Sequence, residues 1–223
     1  MPNPWRKTFG VSMLLAPLLS LASAVVSPPL ESTMPAKIAE IAQHQDRWYL
    51  YAIFITVGAW FFVPSVIGLI STLADGAPRA SFLGGSLAML GVLVAIGDGT
   101  AELVYWQMGA SGADRAQMAA LANRYESATG SSLVFTIGGL ALLVGLVVLA
   151  VALARTRVAP LWAAAAIPIG AIVNIAGFST SKNLAVIASN LIFLVGFGWI
   201  ARLLLTAPTE QPRLLLQHPI TTT

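Results

Sequence analysis

The stretch Gly97-Asp98-Gly99-Thr100-Ala101-Glu102-Leu103-Val104-Tyr105-Trp106 carries two carboxyl groups inside an otherwise apolar run. Asp98 and Glu102 stand four residues apart, so a helix puts both on one face. A charge at the centre of a membrane span costs about 2.5–3.5 kcal/mol on insertion scales, and an acid kept there is a candidate functional group. Two like charges one turn apart in low dielectric favour sharing a single proton. Such a pair can donate a proton, bind a cation or relay protons. Asp98 and Glu102 are therefore the candidate catalytic residues. The competing reading is structural, with Glu102 reaching water at the span's end and Asp98 bonded to a neighbouring Asn or Ser.

Candidate ligand-binding residues come from the same membrane depth. They are Tyr105 and Trp106 beside the acids, Asn174 and Asn190 in later spans, and Lys182, a cation able to pair with an acid. Trp60 joins them because it lies too deep for the aromatic belt that accounts for interfacial tryptophans.

The elements that hold these residues follow from composition. Of 223 residues, 57% are hydrophobic and only 9% charged, against about 25% charged in soluble domains. Mean hydropathy is +0.81. Six apolar runs are long enough to cross a bilayer: Phe9 to about Leu30, Trp48–Leu73, Ser81 to about Met108, Ser131–Ala154, Val158–Gly177 and Asn183–Leu205. They are continuously apolar and do not alternate, which selects helices over a β-barrel. The expected fold is all-α: a membrane bundle over 1–206 and a flexible cytoplasmic tail over 207–223. The first run ends in Ala22-Ser23-Ala24, which also resembles a signal-peptide cleavage site. It is read as a span because the apolar run continues past that site.

Between spans, 31–47 and 108–130 have apolar residues near helical spacing and read as short amphipathic helices on the outer surface. In the second, Ser111 and Asp114 match a capping box, and Met118, Leu121, Ala122 and Tyr125 form the apolar stripe. An inside N-terminus leaves seven cations inside (Arg6, Lys7, Arg79, Arg155, Arg157, Arg202, Arg213) and five outside (Lys37, Arg47, Arg115, Arg124, Lys182). That majority, and the short Arg155-Thr156-Arg157 link above all, predict a cell-membrane protein with both termini cytoplasmic.

Small residues recur at packing spacing: Gly84, Ala88, Gly91 and Ala95 in the third span, and Gly138, Gly145 and Ala152 in the fourth. They predict close helix contacts. Pro168 should kink the fifth span.

Cysteine is absent, which removes thiol chemistry and Cys-ligated metals. The two histidines, His44 and His218, lie outside the apolar runs, so no metal site and no cofactor is expected. The cations form no basic stripe, which argues against nucleic acid. No phosphate loop, His-Glu-x-x-His, nucleophile elbow or dinucleotide fingerprint is present.

The span spacing, the link Ala154-Arg155-Thr156-Arg157-Val158-Ala159-Pro160-Leu161-Trp162 and the ending Gly198-Trp199-Ile200-Ala201-Arg202-Leu203 resemble those of small six-helix bacterial integral membrane proteins of uncharacterised function. That resemblance implies a fold and a location, and brings no substrate or catalytic residue. Three functions remain open. The first is a pocket in the outer leaflet that binds a lipophilic small molecule, or converts it by proton transfer as isoprenoid cyclases and isomerases do. The second is a proton- or cation-linked transporter, which would need more polar residues in the inner half. The third is a non-catalytic membrane subunit. Expected partners are membrane lipids, a lipophilic small molecule and a second copy of the chain.

Overall fold

A computed structural model describes residues 3–110 and 112–206. Ser111, Arg213, His218 and the whole tail 207–223 lie outside the described residues. The chain forms eight helices there: α1 (Asn3–Val26), α2 (Met34–Gln43), α3 (Gln45–Leu73), α4 (Pro78–Met108), α5 (Arg115–Ser127), α6 (Thr129–Arg155), α7 (Leu161–Ser179) and α8 (Asn183–Thr206). Six of them, all but α2 and α5, are long and apolar enough to span a membrane. The protein is a multi-pass membrane protein.

Two helix ends fall inside the apolar runs, and proline explains both. α1 stops at Val26, four residues early, because Pro28 and Pro29 follow and disfavour helix in the residue before them. α7 starts at Leu161 because Pro160 serves as its N-terminal cap residue.

The six long helices close a ring. α1 packs between α3 and α8, α4 between α3 and α6, and α7 between α6 and α8. Six alternating passes bring Asn3 and Thr206 to one end of the bundle. α2 and α5 lie at the opposite end, here called the capped end. The α4–α6 contact uses the small-residue seams. Gly84 opposes Gly145, and Gly91 opposes Gly138, so the backbones meet with no side chain between them. The half of the interior nearest the termini is solid. Met13, Leu69, Leu149, Ile167, Phe197 and Ile200 fill it and are fully buried.

At the capped end, α2 buries Ile38 and Ile41, as its spacing predicted. α5 buries Ala119 and Ala122, whereas Leu121 and Tyr125 are 42% and 43% exposed. The broad apolar stripe read from the sequence thus faces partly outward, and the two alanines let α5 sit close to α2. The cap is also corrected. Asp114 itself is the N-cap of α5, accepting from the backbone N–H of Ala116 at 3.0 Å and Gln117 at 3.1 Å. Losing an N-cap costs about 0.5–2 kcal/mol. Asp114→Ala is expected to speed amide exchange across 115–127 and leave α6 unchanged; equal exchange in α5 would contradict this role.

Arg47, near the start of α3, donates from Nε to the carbonyl of Val26 at 3.2 Å and from Nη2 to that of Ser27 at 3.1 Å. It satisfies carbonyls that the end of α1 leaves unpaired. This ties α1 to α3 beside the cavity described next.

Candidate functional site

All six membrane helices contribute to one central cavity of about 220 Å³ in the capped half of the bundle. Its floor is aromatic. Phe62 of α3 and Phe193 of α8 lie 6.0 Å apart at their ring centroids, and both pack on buried Phe197 at 5.7 and 5.9 Å. Edge-on and tilted arrangements of this kind are the ones the ring quadrupoles favour. Above it the walls are mostly aliphatic, with polar groups from α1, α3, α4, α7 and α8: Ser20, Ser23, Tyr51, Asp98, Asn174, Asn183 and Asn190.

Asp98 is exposed to this cavity, and no side-chain hydrogen bond or ion pair engages its carboxyl among the described residues. The two asparagines are held from behind. Asn174 donates its Nδ2 to Ser189 Oγ at 2.9 Å, and Asn190 donates its Nδ2 to the carbonyl of Val186 at 2.9 Å. Each amide keeps its oxygen and a second N–H, so with the Asp98 carboxyl, the Tyr51 hydroxyl and the Asn183 amide the cavity offers both acceptors and donors.

Glu102 has a different fate from Asp98. It is 7% exposed and pairs with Lys37 of α2, Nζ to Oε1, at 3.0 Å. The Lys37 ammonium also lies 4.2 Å from the Tyr105 ring centroid and 5.6 Å from that of Trp48, within cation–π range. Tyr105 in turn donates its hydroxyl to Glu126 Oε1 of α5 at 3.0 Å. Carboxyl, ammonium, aromatic ring and carboxyl thus pin α2 and α5 onto the end of α4. Glu102 Oε2 is buried with no hydrogen-bond partner.

The expected acid pair is thus divided. Asp98 faces the cavity, while Glu102 is neutralised by a lysine from the cap. Lys182, expected to pair with an acid, is exposed and makes no ion pair among the described residues. The pairing cation is Lys37. Its signal was present in the sequence, because Lys37 sits on the same helical face as Met34 and Ile41, inside the apolar stripe of 31–47. Asn174 and Asn190 line the cavity. Tyr105 and Trp106 do not. Tyr105 lies under α2, and Trp106 packs on Tyr49 at 4.8 Å between centroids. Trp60 is 55% exposed on the bundle's outer surface. Tyr51, Phe62 and Asn183, which share the depth and the polar or aromatic type of the expected residues, also line the cavity, as does Phe193, which neither depth nor type singled out.

The fold and cavity define a class, a six-helix integral membrane protein with a half-depth internal pocket. The chain matches no protein-family model, no curated protein and no solved structure.

Proposed function

We propose that this protein binds a lipophilic small molecule in the central cavity, with Asp98 as the anchoring or proton-donating group. The observation that carries this reading is an unpaired carboxyl lining an apolar cavity sealed below by Phe62 and Phe193. Concave, mostly apolar sites with a few convergent polar groups are the usual form of small-molecule pockets. The solid interior toward the termini supports a pocket over a transport path.

Proton transfer is the chemistry the site suits. A protonated Asp98 would give its proton to one carbon of a bound alkene, leaving a carbocation faced by Phe62, Phe193 and Tyr51. Loss of a proton to the Asp98 carboxylate from the carbon on the other side of the cationic centre would restore the acid and shift the double bond by one position. No other reactant is needed. Glu102 serves as a positioning residue in this scheme, since its partner is Lys37.

The cell membrane is the proposed location, with both termini cytoplasmic and the capped end outside. The seven cations on the termini side against five at the capped end support this orientation.

The test is native mass spectrometry of the purified protein in mild detergent. Wild type is expected to retain a defined lipophilic ligand, and Asp98→Asn to lose it at least tenfold with an unchanged melting temperature. Equal retention by both proteins would remove Asp98 from the site.

A further inference from the structure

α6 and α7 close the ring only over the half nearest the termini. On the inward stripe of α6, Leu153, Ala150 and Leu146 are buried, Gly139 is half-buried, and Thr136 and Ser132 are exposed. On α7, Ala164, Ile167 and Ala171 are buried, but Ile175 and Phe178 are 45% and 40% exposed. Both helices change from buried to open nine or ten residues from their shared link, roughly 14–15 Å along each axis. Pro168 lies just before that level in α7. A Cβ placed on Gly139 would meet nothing within 4 Å. Gly139, Ile175 and Phe178 also line the cavity. The ring is therefore slotted on one side, from the capped end down to the cavity.

The surroundings of that slot are hydrocarbon. Leu140 and Ile172, on its outer flanks, are 58% and 52% exposed, as lipid-facing residues are. The slot is polar at its top, with Ser132 and Thr136, and apolar beneath, with Gly139 and Ile175. Inside it the Asp98 carboxyl has no side-chain partner among the described residues, and Asn174 and Asn190 line the same space. The cavity of about 220 Å³ is smaller than the ~300–1,000 Å³ of drug-sized pockets, which suits one chain and not two.

We infer that the slot between α6 and α7 admits a single-chain amphiphile sideways from the membrane leaflet, its amine or alcohol head reaching Asp98 and its hydrocarbon chain lying between the two helices. This rests on the binding function proposed above and adds the route and the ligand class. A carboxylate head would set a second acid against the Asp98 carboxyl and is disfavoured.

The experiment uses the full chain in lipid nanodiscs and three twelve-carbon probes, an amine, an alcohol and a carboxylic acid, each with a photoreactive diazirine in the chain. Crosslinked residues are mapped by mass spectrometry. The amine, the alcohol or both are expected to label α6 and α7 along the slot saturably, with the acid at least tenfold weaker. Gly139→Trp, whose side chain enters open space, should reduce slot labelling at least tenfold at an unchanged melting temperature. Ile175→Trp, on the facing helix, is read the same way if the first variant misfolds. Saturable cavity labelling that both plugs leave intact would overturn the slot while the pocket reading stands. Equal labelling by the acid would overturn the head assignment. Absence of saturable labelling by any probe would overturn the inference, and the native-mass ligand would then decide separately whether Asp98 anchors anything.

Discussion

Lys37→Met is expected to destabilise the protein by about 3–5 kcal/mol, the range for breaking a buried ion pair from one side. The methionine keeps the apolar stem against Tyr105 and Trp48, so packing is largely preserved. What is lost is the charge opposite Glu102. That carboxyl is 7% exposed, and its second oxygen already lacks a partner. The variant leaves an uncompensated charge in a site closed by α2. The damage should be concentrated at the capped end, because the same ammonium bridges Glu102 to the Tyr105 ring and, through its hydroxyl, to Glu126 of α5. The double variant Lys37→Met/Glu102→Gln removes both charges and should recover most of the loss. Thermal unfolding in detergent, with amide exchange over 34–43 and 115–127, reads both effects. A single variant that melts like wild type would show that the pair contributes nothing to holding the cap.

The second large effect lies in α6 and depends on which glycine is changed. A Cβ on Gly145 would press on the backbone N and Cα of Ala88 and on the carbonyl of Gly84. These are backbone atoms of α4 and cannot swing aside as a side-chain tip can. Overpacking typically costs about 1–3 kcal/mol and sometimes more. Gly145→Leu should exceed the upper figure, because accommodating it means separating α4 from α6 along their whole seam. Gly139, six residues earlier, has open space where its Cβ would be. Gly139→Ala removes a helix-interior glycine without a clash and should stabilise by about 0.5–1 kcal/mol. Opposite shifts in melting temperature for Gly145→Leu and Gly139→Ala are the expected result. Shifts of the same sign would contradict the packing described.

Residue type does not distinguish these two glycines, and spacing does so only in part. Gly138 and Gly145 recur at heptad spacing, which placed them on a packing seam. Gly139 falls outside that repeat, and its role depends on α7 being splayed away from it. The cap shows the same division. The spacing of Met34, Ile38 and Ile41 was enough to give an amphipathic helix over 31–47. The same stripe put Lys37 on the inward face, but nothing local indicated that its partner would be Glu102, 65 residues along the chain.

By itself the sequence determined the six membrane helices, their alternation and the two amphipathic segments. These follow from local properties: apolar length against bilayer thickness, and the helical period. It also determined that an acid stands at Asp98, because residue type needs no folding to be read. Tertiary structure alone decided which acid stays free, which lysine neutralises the other, and where the cavity and its slot lie. A cavity is the space that six helices fail to fill, and a buried ion pair forms where two distant segments meet. Both depend on how the helices lean against one another, a property no single segment carries.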